Sequence, residues 1–174
     1  DGIYNALSMS PNARYAATSV FVGPFINILD FDTGETLQVE VTGPDFSQSG
    51  NTDSLVTRVD AVAFDYSSQK IIFDFAICLP TASVPCFTAD SVEYWSIGIY
   101  DLRREAFEYP FPSQSSDFDV GFPRFASNSN RFFVYDRLDW SEFDELQSTI
   151  STIHQYDVDS GDDLMIANAD PGNF

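Results

Sequence analysis

Apolar and polar residues alternate along this chain in short bursts, and the bursts return in a fixed order. From Ser8 to Val20 the stretch SMSPNARYAATSV leaves one apolar run, turns at Ser-Pro-Asn, passes a basic residue and enters a second run of strand-forming residues. The same order recurs in VDAVAFDYSSQKIIFDFAI, Val59 to Ile77, and in GFPRFASNSNRFFVYDRL, Gly121 to Leu138. On this pattern Arg14, Lys70 and Arg131 hold equivalent places. A second block follows each of the first: INILDFDTGE (Ile26 to Glu35), SIGIYDLRREAF (Ser96 to Phe107) and TIHQYDVDSGDDL (Thr152 to Leu164). In each, an alternating strand ends on Asp30, Asp101 or Asp157, and a tight turn leads into another strand. Asp-Thr-Gly and Asp-Ser-Gly provide the positive φ that such a turn needs, whereas Arg103-Arg104 fills it less well.

Read this way the chain is all-β, with no long segment at the 3.6-residue period of a helix. Three units of four strands are expected. The first three strands of each unit are Ile3 to Met9, Arg14 to Phe21 and Phe25 to Phe31; Arg58 to Phe64, Lys70 to Ile77 and Tyr94 to Leu102; and Gly121 to Phe125, Arg131 to Leu138 and Ser148 to Val158. Fourth strands follow at Glu35 to Val41, Glu105 to Tyr109 and Asp163 to Ala167. The basic residues lie 56 and 61 residues apart, a spacing that suits four-stranded β-propeller blades with long loops. The expected architecture is one β-propeller segment of three antiparallel blades, at about 1–42, 58–110 and 119–168. A sandwich of short strands is the alternative.

The run SMSPNARYAATSV followed by INILDFDTGE resembles the S-P-D-G-(R/K)-x-(I/L)-A and (I/L)-x-x-x-D-x-x-T-G-E pattern of TolB-like and related WD-repeat-like propeller blades. The resemblance covers essentially the entire chain in three copies. In the later copies Asp65-Tyr66-Ser67 and Ala126-Ser127-Asn128 replace the Ser-Pro-Asp turn, and the second lacks Thr-Gly-Glu. It speaks for the fold; function does not follow from it, because propellers host unrelated activities. Three blades do not close a ring, and a three-blade arc leaves two apolar faces without cover. The expectation is therefore a segment of a longer chain, or an assembly of several copies.

Strands that run up and down send alternate connections to opposite ends of a blade. The turns at Ser10-Pro11-Asn12 and Asp32-Thr33-Gly34 belong to the short end. The other end carries Thr42 to Thr57, Cys78 to Glu93, Pro110 to Asp119 and Asp139 to Gln147, and long loops on a rigid scaffold are where binding usually sits. The last of these sets Trp140 and Phe143 among Asp139, Glu142, Asp144 and Glu145, aromatic anchors with a charged rim that fit a binding patch. A one-turn amphipathic helix packed on the blade edge accounts for the same residues.

Charge narrows the partners. Lys and Arg number 8 against 27 Asp and Glu, a formal net charge of −19, and such a field repels phosphate backbones and anionic lipid. Nucleic acid is excluded as a partner, and no apolar run reaches the length of a spanning helix. The charge fits a saline medium or an acidic extracellular protein. Cys78 and Cys86, close together without a neighbouring His, read as a loop disulfide in an oxidising compartment, with two buried thiols as the alternative. Extracellular, cell-surface or periplasmic placement follows from the first reading.

Catalytic chemistry finds little footing. The one histidine, His154, sits in a repeated structural slot, and no G-x-S-x-G elbow occurs. Carboxylates are so abundant that no pair stands out as a glycosidase dyad. No cofactor is expected. Calcium is the one metal the turns bring to mind, with Asp30 and Asp32, and Asp157 and Asp159, as weak ligand candidates. Neither turn has the third acidic residue before Gly or a distal Glu in register, and both serve as hairpins in any case. The leading function is a non-enzymatic propeller scaffold that recognises protein or glycan through its long-loop face. The alternatives are the gating propeller of a prolyl-oligopeptidase-like hydrolase whose catalytic residues lie elsewhere, and a subunit of a self-assembling surface fibre. Partners beyond the ligand are further blades or other copies.

Overall fold

The computed structural model describes residues 4–20, 23–44, 55–78, 86, 93–111, 118–139 and 150–169. They form twelve strands and, among themselves, no helix. The first sheet is β1 (Tyr4–Met9), β2 (Tyr15–Val20), β3 (Phe25–Asp30) and β4 (Thr36–Glu40). The second is β5 (Leu55–Phe64), β6 (Lys70–Cys78), β7 (Glu93–Asp101) and β8 (Ala106–Glu108). The third is β9 (Phe118–Phe125), β10 (Phe132–Asp139), β11 (Ile150–Asp157) and β12 (Asp163–Ala169). Every sheet is an antiparallel meander in chain order. The strands agree with the repeat except at two entries. β5 begins at Leu55, because Leu55 and Val56 pair with Cys78 and Ile77, and β9 begins at Phe118, opposite Asp139. Two stretches expected as loop are thus strand at their ends.

The turns fix which residues are equivalent. Ser10, Asp65 and Ala126 donate their N–H groups to the carbonyls of Tyr15, Lys70 and Phe132, and the carbonyls one residue earlier, on Arg14, Gln69 and Arg131, receive Phe31, Leu102 and Val158. Gln69, not Lys70, therefore stands where Arg14 and Arg131 stand, and the expected equivalence of the three basic residues is one position out in the second unit. The carboxylates at the strand ends show the consequence. Arg14 grips Asp30 with Nε and Nη2, the latter at 2.7 Å, and Arg131 holds Asp157 in the same way at 2.5 Å. Gln69 carries no charge for Asp101, and Arg104, from the following turn, takes over with its Nε at 2.9 Å. Lys70 reaches Glu108 instead, at 3.4 Å.

The turns after these aspartates need one residue in the left-handed region. Gly34 takes it at φ 74° and Gly161 at 77°, while Glu105 takes it at 50° in the second unit. Arg103 and Arg104 leave the positive φ to Glu105 and instead offer their N–H groups to Asp101 Oδ1 at 2.9 and 3.0 Å.

The sheets pack face to face in chain order, and the middle one has no free face. Ala17, Ile26 and Ile28 of the first sheet meet Val59, Ile71, Phe73 and Phe75 of the second. Ile72, Ile97 and Ile99, on the other face of the second, meet Val120, Phe133 and Tyr135 of the third. Burial along β6 is accordingly almost continuous, the pattern of a strand covered on both sides, whereas β10 alternates. The Phe73 ring lies over Gly98, where an added Cβ would come within 2.4 Å of its Cζ.

Candidate functional site

The seams between sheets are held by polar residues inside the second strands. Each sheet's first strand carries a bulge: the register jumps between Tyr4 and Leu7, between Val59 and Val62, and across Phe122 and Pro123, opposite Val134 to Asp136. A bulge frees backbone groups from the ladder, and these need partners. Ser19 Oγ accepts the Ala6 N–H at 3.2 Å and donates to the carbonyl of Asp60 on the next sheet. Asp74, only 2% exposed, accepts the Ala61 N–H of its own sheet at 2.6 Å and the Phe122 N–H of the third at 2.8 Å. Burial pushes the Asp74 carboxyl up to about 6, against the pull of those two N–H groups and with help from Asp60.

Around the edge strand β9, from the seam of sheets two and three to the outer face of the third, lies a cavity of about 380 Å³. Asp60, Asp74, Trp95, Asp119, Phe122 and Asp136 line it. Strands place all six, so the arrangement is preset. β8 is too short to pair with the start of β7, and Asp119 covers that gap by accepting the Trp95 N–H at 2.9 Å. The Arg58 guanidinium stacks on the Trp95 ring at 5.0 Å and pairs with Glu93 at 2.9 Å. Phe122 is 61% exposed at φ 50°, a strained conformation for a non-glycine residue, of the kind that marks functional positions. Desolvation raises the Asp136 carboxyl. Chemically the cavity offers carboxylate acceptors beside aromatic rings, suited to hydroxyl- or amine-bearing ligands.

None of these six residues was singled out as a site residue from the sequence. Asp139 is the last residue of β10, paired with Ile150 and Phe118, and its carboxylate lies 3.7 Å from Arg137. Trp140, Glu142, Phe143 and Asp144 fall outside the described residues. Cys78, at the end of β6, is joined to Cys86. Asp30 and Asp157 are engaged by Arg14 and Arg131, and Asp32 and Asp159 lie within 3.3 and 3.6 Å of the same guanidinium groups. Among the described residues no group of three or more His, Cys, Asp or Glu is placed to hold a metal.

His154 is engaged on both nitrogens, Nδ1 with Asp163 at 3.0 Å and Nε2 with the Thr152 hydroxyl at 2.9 Å, while its ring packs at a tilt against Tyr135. The order hydroxyl, imidazole, carboxylate matches that of a nucleophilic triad. The seam cavity, however, is not lined by Thr152 or His154, and the Thr152 hydroxyl also faces the Arg137 carbonyl at 3.4 Å. In this setting the imidazole joins β11 to β12 as a structural group.

No protein-family model matches the chain, and no curated protein matches its sequence. Solved structures do match its fold. A TolB candidate from Agrobacterium tumefaciens superposes with a TM-score of 0.58 at 13% identity, over 97% of this chain and 50% of its own. Oligogalacturonate lyase from Vibrio parahaemolyticus also gives 0.58, at 9% identity, over 96% of this chain and 40% of its own. The chain thus spans half or less of the length of these structures. At such identities the likeness concerns architecture alone. Three antiparallel four-stranded sheets stacked in chain order, and these matches, make the chain a run of three β-propeller blades similar to those of TolB-like propellers.

Proposed function

We propose that this chain works by binding, as a propeller scaffold in an extracytoplasmic setting, and that it recognises a protein or glycan through the seam of blades two and three at the long-loop end. The observation that carries this reading is the cavity along β9, where Trp95 and Phe122 stand beside Asp60 and Asp119. Rings supply contact area and carboxylates supply acceptors, which favours sugar hydroxyls or lysine and arginine side chains as donors. All are carried on strands, so little ordering is required on binding. Trp95 and Asp119 stand near the starts of β7 and β9, the strand ends that follow the long loops in the chain. The Cys78–Cys86 bond supports an oxidising compartment. No described helix is long and apolar enough to cross a membrane.

A panel of glycans and basic peptides titrated against the chain tests the reading. Trp95→Ala and Asp60→Asn should each weaken the best ligand about tenfold, the effect of losing a central contact. Binding that survives both substitutions unchanged would place recognition elsewhere.

A further inference from the structure

Ser19, Asp74 and Asp136 stand four residues after Tyr15, Lys70 and Phe132, the residues whose carbonyls close the first turn of each sheet. They are thus one position repeated three times. In the first two sheets this position faces the next sheet and bonds the backbone of its first strand: Ser19 donates to the Asp60 carbonyl, and Asp74 accepts from the Phe122 N–H. The side chain decides which way the facing peptide turns. A hydroxyl can donate and so meets a carbonyl; an ionised carboxylate only accepts and so meets an N–H. Ala61, equivalent to Phe122 when counted from the turn, keeps its N–H for its own sheet. Phe122 turns its N–H back to the preceding sheet and is left at φ 50°.

The third copy is Asp136, again a carboxylate. Phe133 and Tyr135 pack on the second sheet, and side chains alternate along a strand, so Val134 and Asp136 point to the opposite face. Among the described residues no hydrogen bond or ion pair reaches the Asp136 carboxylate. The row beside it is open too. Ala17 and Ile28, and Ile72 and Ile99, are buried in the first two sheets, while Val134 and Gln155, the equivalent pair of the third, are 37% exposed and half-buried. The two seams already present show what such a face receives.

We propose that the outer face of the third sheet receives a further antiparallel sheet whose first-strand bulge is turned like that of β9, presenting a backbone N–H to Asp136 from a residue at positive φ. Glycine suits that residue best. The first sheet of a second copy does not fit this description, because the Ala6 N–H is directed at its own Ser19 and Ala6 is not among the positive-φ residues. The carboxylate thus selects one form of neighbouring sheet over the other.

The test joins a fourth sheet to the intact chain. One fusion appends a copy of residues 118–169, whose bulge presents an N–H; the other appends 55–108, whose bulge presents a carbonyl. Both are made in the original chain and in Asp136→Ser, and amide exchange in β10 and β11 is followed by mass spectrometry, with sedimentation of the unfused chain alongside. With Asp136, the 118–169 fusion should slow exchange about tenfold relative to the 55–108 fusion, the effect of one charge-assisted hydrogen bond. Asp136→Ser should reverse the order. Equal protection by both fusions, no reversal, no protection by either, or head-to-tail oligomers of the unfused chain would each overturn the proposal.

Discussion

Two of the four described non-glycine residues at positive φ sit where glycine is the ordinary choice. Ala13 lies at φ 58° in the first turn of the chain, where the resembled blade pattern has glycine, and Glu105 lies at 50° where the other units have Gly34 and Gly161. A left-handed non-glycine residue costs about 1–2 kcal/mol, and glycine returns part of that gain as unfolded-state entropy. Ala13→Gly and Glu105→Gly should therefore each stabilise by about 0.5–1 kcal/mol, and the two should add, which urea unfolding would show as a higher midpoint at constant slope. Asp74 governs a different response. Its carboxyl is raised from 3.8 to about 6, so its contribution to stability is fully present below its unfolded value and is lost as pH rises from about 4 to 6. Asp30 and Asp157 are held below the ordinary range by Arg14 and Arg131. For Asp101, burial works upward but the N–H and guanidinium groups of Arg104 outweigh it. These three contribute above pH 4 and lose their effect as pH falls further. Asp74→Asn should remove the loss between pH 4 and 6 and leave the acid limb in place, as unfolding midpoints across that range would report.

At the scale of elements, strand positions were legible because period-two alternation and turn residues recur together, while the double cover of the middle sheet, which the run Ile71-Ile72-Phe73 reflects, emerged only with the packing. Equivalence between units was less legible. A basic residue before an apolar run looks the same at Gln69-Lys70 as at Arg14-Tyr15, and the backbone bonds of the turn, not composition, decide the register. The structure supplies a test of that register. Arg104→Ala should destabilise the second sheet by leaving Asp101 without a guanidinium, and Gln69→Arg should restore what was lost, since it places arginine where Arg14 and Arg131 stand. A thermal scan of the single and double variants would show it; additive losses would mean that the positions are not equivalent. The seam cavity was hidden for a related reason. Asp60, Asp119 and Asp136 are lost among 27 acidic residues. The one local signal was Asp74, a lone acid inside IIFDFAI, where an alternating or apolar strand gives it no reason to be.

For the whole molecule, charge is the dominant long-range term. Nineteen net negative charges repel one another across a small body, and added salt screens that repulsion within about 10 Å at 0.1 M. Stability should therefore rise with sodium chloride from 10 to 500 mM, and a falling or flat midpoint would mean that the exposed arginine–aspartate pairs, which salt weakens, outweigh the net field. Sheet packing sets a second property. Because the middle sheet is covered on both sides, β6 loses its protection only when a flanking sheet has already detached. Its amides are thus a built-in clock for separation of the blades. β4 and β12, at the outer rims, report nothing but their own fraying, so the molecule opens in a sequence that runs from rim to centre.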